Sequence, residues 1–176
     1  MKTLSEYLRL IQENEEFNKA RLYPNKLLDL MKDIKYDNTA DEDTYIVKTP
    51  KELLKIKSGI CYDQVELERE YLTKHNYELK TFFIYPWKNE KRLIPTHTFL
   101  IFKENNNYYW FENSWESYRG ISNPFNSYEE AVSYVKDQLS KLSKYNNYAI
   151  IEYASPKVKN LTINQWARYV VNHPSI

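Results

Sequence analysis

A single cysteine, Cys61, lies in the segment Ser58-Gly59-Ile60-Cys61-Tyr62-Asp63-Gln64, just past one of only two glycines in the chain. Thirty-six residues on, His97 opens the apolar run Thr98-Phe99-Leu100-Ile101-Phe102, and Glu112 and Asn113 close a second, aromatic run. A cysteine, a histidine and an acid or amide, in that order and each at the edge of an expected element, make the set that nucleophilic cysteine catalysis requires. A free thiol titrates near pH 8.5, about 1.5 units above neutrality, so it needs a helix N-terminus or a neighbouring imidazolium to become a ready thiolate. Both are on offer. Gly59 supplies a flexible approach, Cys61 falls in the first turn of a helix running to about Lys74, and the aligned peptide dipoles there favour a negative sulfur. The N–H groups of that turn are also placed to hold an oxyanion. Asp63, Glu66, Glu68 and Glu70 would oppose the thiolate if they faced it, and are expected to face solvent.

His97 is the candidate general base and later acid, with a third residue fixing its tautomer. Glu112 and Asn113 compete for that place. Side chains alternate across a strand, so only one of the two shares a face with His97 if the strand runs through both. A bulge between Lys103 and Asn107 would reverse the choice, and both residues stay open.

The elements that must position these residues are legible as periodicities. Thr3-x-x-Glu6 caps a helix carrying Leu4, Leu8 and Ile11, and residues 25 to 34 carry Leu27, Leu28, Leu30, Met31 and Ile34 at helical spacing. Residues 35 to 44, rich in Asp and Asn, read as a loop. Thr49-Pro50-Lys51-Glu52 starts a short helix that delivers Gly59 and Cys61. Strands follow at 79 to 86, 96 to 103 and 108 to 113, with a polar loop at 87 to 92 and a hairpin loop at 104 to 107. Ser127-x-x-Glu130 caps a helix with Tyr128, Val132, Val135, Leu139 and Leu142 as its apolar stripe. A strand at 148 to 153 precedes a last helix capped by Thr162, with Trp166, Tyr169 and Val170 inward. Helices first, then a nucleophile-bearing helix packed on an antiparallel β-sheet, is an α+β fold. With 176 residues the chain reads as one domain over 1–176, its core at about 48–155.

Gly59-x-Cys61-x-Asp63, then Pro95-Thr96-His97-Thr98-Phe99-Leu100, then Tyr109-Trp110-Phe111-Glu112-Asn113-Ser114-Trp115 and Arg119-Gly120-Ile121, resemble the core of the transglutaminase-like superfamily, a papain-like cysteine-nucleophile fold. Within it the resemblance is to the bacterial and phage-associated branch, and covers roughly residues 48 to 140. It implies the same α+β order, and an acid as third residue at the end of the strand after the histidine strand, which favours Glu112. The phrase Asn113-Ser114-Trp115 instead resembles papain-type peptidases, whose orienting residue is an asparagine. Those enzymes place the histidine about 130–150 residues after the cysteine. The short gap here fits the compact core, and Leu54, Lys55 and Ile56 stand where a papain-like oxyanion glutamine would be sought. Tyr62, Asp63 and Trp115 are taken as the frame of the site, with Trp115 shielding His97 from water.

Charge is balanced, 25 Lys and Arg against 24 Asp and Glu with no single-sign block, so neither nucleic acid nor a membrane is called for as a partner. One cysteine makes no internal disulfide, and charges interrupt the apolar residues of the first nine positions; a cytoplasmic protein is expected. The leading function is an enzyme attacking an amide or peptide-like carbonyl of a protein, peptide or small molecule through a thioester, as hydrolase, deamidase or acyltransferase. The alternative is an inactive binding domain that keeps the pocket. No cofactor is expected. A metal site of Cys61, His97 and Glu112 is a weaker reading, because no second ligand stands at a familiar short spacing from the cysteine. Asp41-Glu42-Asp43 lacks the ligand alternation and glycine of a calcium loop and reads as a solvated turn.

Overall fold

A five-stranded antiparallel sheet carries the molecule in the computed structural model, which describes residues 22–87 and 95–175; the expected helix at residues 3–11 and most of the loop after Trp87 lie outside these. In chain order the elements are α1 (Leu22–Met31), β1 (Lys35–Tyr36), α2 (Pro50–Ile56), β2 (Ser58–Gly59), α3 (Cys61–Lys74), β3 (Glu78–Pro86), β4 (His97–Glu104), β5 (Asn107–Glu112), a 3₁₀ turn (Glu116–Tyr118), β6 (Gly120–Ile121), α4 (Tyr128–Ser143), β7 (Tyr148–Glu152) and α5 (Ile163–Asn172). The large sheet runs β6-β5-β4-β3-β7. This is the α+β order that the periodicities predict.

Alternation along β3, β4 and β5 makes both faces apolar. Phe83, Leu100, Phe102, Tyr109 and Phe111 pack on α3 and its neighbours, with Trp166 and Val170 of α5 closing that layer. Phe82, Ile84, Phe99, Ile101 and Trp110 pack instead on Tyr128, Ala131, Val135 and Leu139 of α4. Burying each such side chain contributes about 1.5–3 kcal/mol, so α3, packed between the sheet aromatics of its own face and Trp166, is anchored along its length. Leu142, expected in the stripe of α4, is exposed in the last turn of that helix.

Three local differences from the expectations matter for the site. The β4–β5 hairpin turns on two residues, Asn105 and Asn106, both with positive φ (49° and 63°), a geometry whose twist matches that of its strands and that asparagine tolerates. No bulge interrupts it: Leu100 faces Phe111 and Glu104 faces Asn107 in one register. Second, the stretch after α1 is not all loop, since Lys35–Tyr36 pairs in parallel with Ser58–Gly59. Third, Gly59 serves by its size. It does not adopt a positive φ, but a Cβ there would sit 2.6 Å from Leu53 Cδ1 and 2.7 Å from Asp63 Oδ2.

Candidate active site

Helix α3 begins at Cys61 itself, and the segment before it is pinned by Asp63. The Asp63 carboxylate accepts the Ile60 N–H at 2.8 Å and the Lys48 N–H at 2.6 Å, and also takes the Tyr45 hydroxyl. Asp63 is therefore buried as the clasp of the helix start. Tyr62 is buried too, stacked on Trp166 with ring centroids 4.0 Å apart, its hydroxyl 3.3 Å from Thr96 Oγ1. Both belong to the frame around Cys61 and neither is open to solvent.

The unbroken register places His97 and Glu112 on the sheet face of Phe99 and Trp110, and Asn113 on the opposite face. His97 Nε2 lies 2.7 Å from Glu112 Oε2. The other carboxylate oxygen, Oε1, accepts the Ser114 N–H at 2.7 Å, the Ser114 hydroxyl at 2.8 Å and the Trp115 N–H at 2.8 Å, so both oxygens of this buried group are hydrogen-bonded. Asn113 meets other partners: its Nδ2 donates to Gln64 Oε1 at 2.7 Å and to the Met31 carbonyl at 3.4 Å, tying β5 to α3 and α1. Trp115 stands edge-on to His97, centroids 5.5 Å apart, and braces Tyr118 and Trp110.

With Nε2 engaged by Glu112, Nδ1 is the nitrogen left for the sulfur. Cys61, only 4 % exposed, lies within electrostatic reach of His97 and of Tyr36. Burial opposes a charged imidazole, but the Glu112 carboxylate and the hydrogen bonds of Cys61 and Glu112 outweigh it, and the His97 pKa rises to about 10. Burial likewise works against the Glu112 charge. The His97 imidazolium and the Trp115 and Ser114 donors prevail, holding Glu112 below the usual carboxylate range. An imidazolium–carboxylate pair thus stands near the thiol at neutral pH.

The sequence of a family described as transglutaminase-like domain matches residues 1–119. The chain belongs to that family. The match takes in Cys61, His97 and Glu112 and extends to the N-terminus, further than the motifs alone reach, while β6, α4, β7 and α5 of this transglutaminase-like protein lie beyond it or at its edge. Among curated proteins none matches the chain.

Four residues of the site went unread in the sequence. Tyr36 sits in a stretch with no periodic signal and reaches Cys61 only through the β1–β2 pairing. Tyr45 clasps Asp63 from an equally patternless stretch. Gln64 donates to the Gly59 carbonyl at 3.2 Å and receives Asn113, and Glu68 is 1 % exposed. The last two did leave a trace: Cys61, Gln64, Glu68 and Leu72 recur at helical spacing, so the face that buries Leu72 buries them as well. The expectation that Asp63 and Glu68 face solvent is corrected accordingly; Glu70 alone of the four acids is exposed and Glu66 is half-buried.

No group of three or more His, Cys, Asp or Glu side chains is placed to hold a metal ion among the described residues. Asp41 accepts the Asp43 and Thr44 N–H groups and the Thr44 hydroxyl, closing a turn, and Asp43 takes Asn164 at 2.7 Å. No helix among the described residues is long and apolar enough to cross a membrane.

Proposed function

We propose that this transglutaminase-like protein is a cysteine-nucleophile enzyme acting on a carboxamide or peptide-like carbonyl. The observation that carries the reading is the buried His97–Glu112 pair at 2.7 Å with Cys61 within electrostatic reach of the same imidazole. The thiolate attacks the carbonyl carbon, the C–S bond forms, and the tetrahedral intermediate collapses with loss of the amine, which takes its proton from the His97 imidazolium. His97, now neutral, takes a proton from water or from an amine, whose attack releases the acyl group and restores the thiolate. Glu112 holds the ring through Nε2 in both halves, and Trp115 covers the pair. Asn113 has the place of a structural tie. The acyl donor is a protein, peptide or small amide, in a reducing compartment such as the cytoplasm, with no nucleic acid, membrane or cofactor involved.

The low exposure of Cys61 favours a second reading, a binding domain in which the buried thiol is no longer used. Ammonia release from glutamine- and asparagine-containing peptides, with and without a primary amine, separates the two. The enzyme reading expects release that Cys61→Ser abolishes, with acid or amine adduct telling hydrolase from transferase. Failure to form a thioester with any amide or activated ester sinks it.

A further inference from the structure

Strand β1 holds one side chain where an acyl transfer needs a donor. Tyr36 stands opposite Gly59 in the parallel register, flanked by hydrogen bonds from the Lys35 N–H to the Lys57 carbonyl (3.0 Å) and from the Asp37 N–H to the Gly59 carbonyl (3.1 Å). The backbone just before the nucleophile therefore fixes Tyr36, whatever its side chain does. The residue is 41 % exposed and walls a cleft of about 420 Å³ shared with Lys32, Ser114 and Arg119, yet its hydroxyl lies within electrostatic reach of Cys61. His97 reaches the sulfur from β4 and Tyr36 reaches it from β1.

We infer that the Tyr36 hydroxyl is the side-chain hydrogen-bond donor to the oxyanion of the tetrahedral intermediate formed at Cys61, an assignment that rests on the acyl-transfer reading above. When sulfur attacks, the C–S bond forms and the π pair of the carbonyl moves to oxygen, so the negative charge leaves sulfur for an atom bonded to the same carbon. The Tyr36 hydroxyl donates to that charge. The Cys61 backbone N–H, which opens α3 and has no intrahelical acceptor, supplies the second donor. On collapse the C=O re-forms, the C–N bond breaks and the proton comes from His97; Tyr36 gains and loses none. It remains a neutral donor throughout, because the Cys61 charge beside it and its own burial push its ionisation well above the usual phenol range.

The test compares two reactions of the one thiol in the full chain. Acetylation by p-nitrophenyl acetate passes through an oxyanion, whereas alkylation by iodoacetamide displaces iodide and does not. Removing an oxyanion donor costs about 10²–10³ in rate, so Tyr36→Phe is expected to slow acetylation by roughly that factor. Alkylation should change less than about threefold, a split that a role confined to packing would not produce. Equal loss in both reactions, or loss in neither, overturns the assignment of Tyr36. If the wild type is alkylated but never acetylated, the acyl-transfer reading itself fails and takes Tyr36 with it. Circular dichroism of Tyr36→Phe, which keeps the ring, checks that β1 is intact.

Discussion

Two of the carboxyl groups buried around helix α3, Glu112 and Glu68, have opposite fates. At the open end of the β4–β5 hairpin, Glu112 is 3 % exposed and fully partnered by His97, Ser114 and the Trp115 N–H. On the inner face of α3, Glu68 is 1 % exposed, and its Oε2 has no hydrogen-bond partner. Burial, and then the nearby Glu112 charge, push Glu68 well above the carboxylate range, while Glu112 is held below it. Burial is shared by both; the donors that surround each group decide which one keeps its charge. A carboxylate that keeps its charge beside the histidine, and a second acid whose ionisation is resisted on the inner face of α3, is the division that lets Glu112 orient His97 without favouring a second negative charge nearby.

Removing Glu112 breaks this contrast most. Glu112→Ala leaves the His97 charge buried without its partner, and a loss of about 3–5 kcal/mol is expected in urea unfolding. The deficit depends on pH in a defined sense. The His97 share of the stability is fully present below its unfolded pKa of about 6.5 and is lost as pH rises through about 10. The Glu112 share is present above its unfolded pKa of about 4.5 and is lost as pH falls through its lowered folded value. The difference between wild type and variant should peak between those unfolded values and shrink on either side. A deficit flat from acid to alkali would mean that the variant only leaves a cavity.

The neighbouring residue gives the next effect in size. Asn113→Ala strands Gln64 Oε1 in the interior, at an expected cost of about 1–3 kcal/mol. Alkylation of Cys61 in the still-folded protein should change less than about threefold, since Asn113 touches α3 and α1 and not His97. A rate loss as large as that of Glu112→Ala would reverse the assignment of the two residues.

Smallest is the effect of neutralising the deeper acid. Glu68 has a raised folded pKa, so the unfolded chain ionises first and wild-type stability falls as pH climbs above about 4.5. Glu68→Gln removes that penalty. Its stability relative to wild type should improve between pH 4 and 7 by chemical denaturation, and a constant difference across that range would show that Glu68 is already charged in the fold.

The same contrast explains what was legible in the chain. Cys61, His97 and Glu112 are found by residue type at element edges, and Thr49, Ser127 and Thr162 mark helix starts by caps that the structure forms. Which of Glu112 and Asn113 lies beside His97 was not legible, because it hangs on whether Asn105-Asn106 closes a two-residue turn or opens a bulge. Tyr36 was hidden for a different reason: a two-residue parallel pairing leaves no periodicity, and its partner lies more than twenty residues away in sequence. Glu68 was hidden by a rule of thumb, that acids on helices face water, which fails where the helical face is set by Leu72 and Cys61. Local pattern carries elements and types; long-range register carries the site.

The most direct test of the account follows the one thiol of the folded protein with iodoacetamide at pH 6.5, in wild type and in His97→Ala. If the imidazolium assembled on Glu112 sustains the Cys61 thiolate, the variant should react at least about tenfold more slowly, a difference of about 1.4 kcal/mol. Equal rates in the two folded proteins would contradict the pairing of Cys61 with His97 on which the proposed chemistry depends.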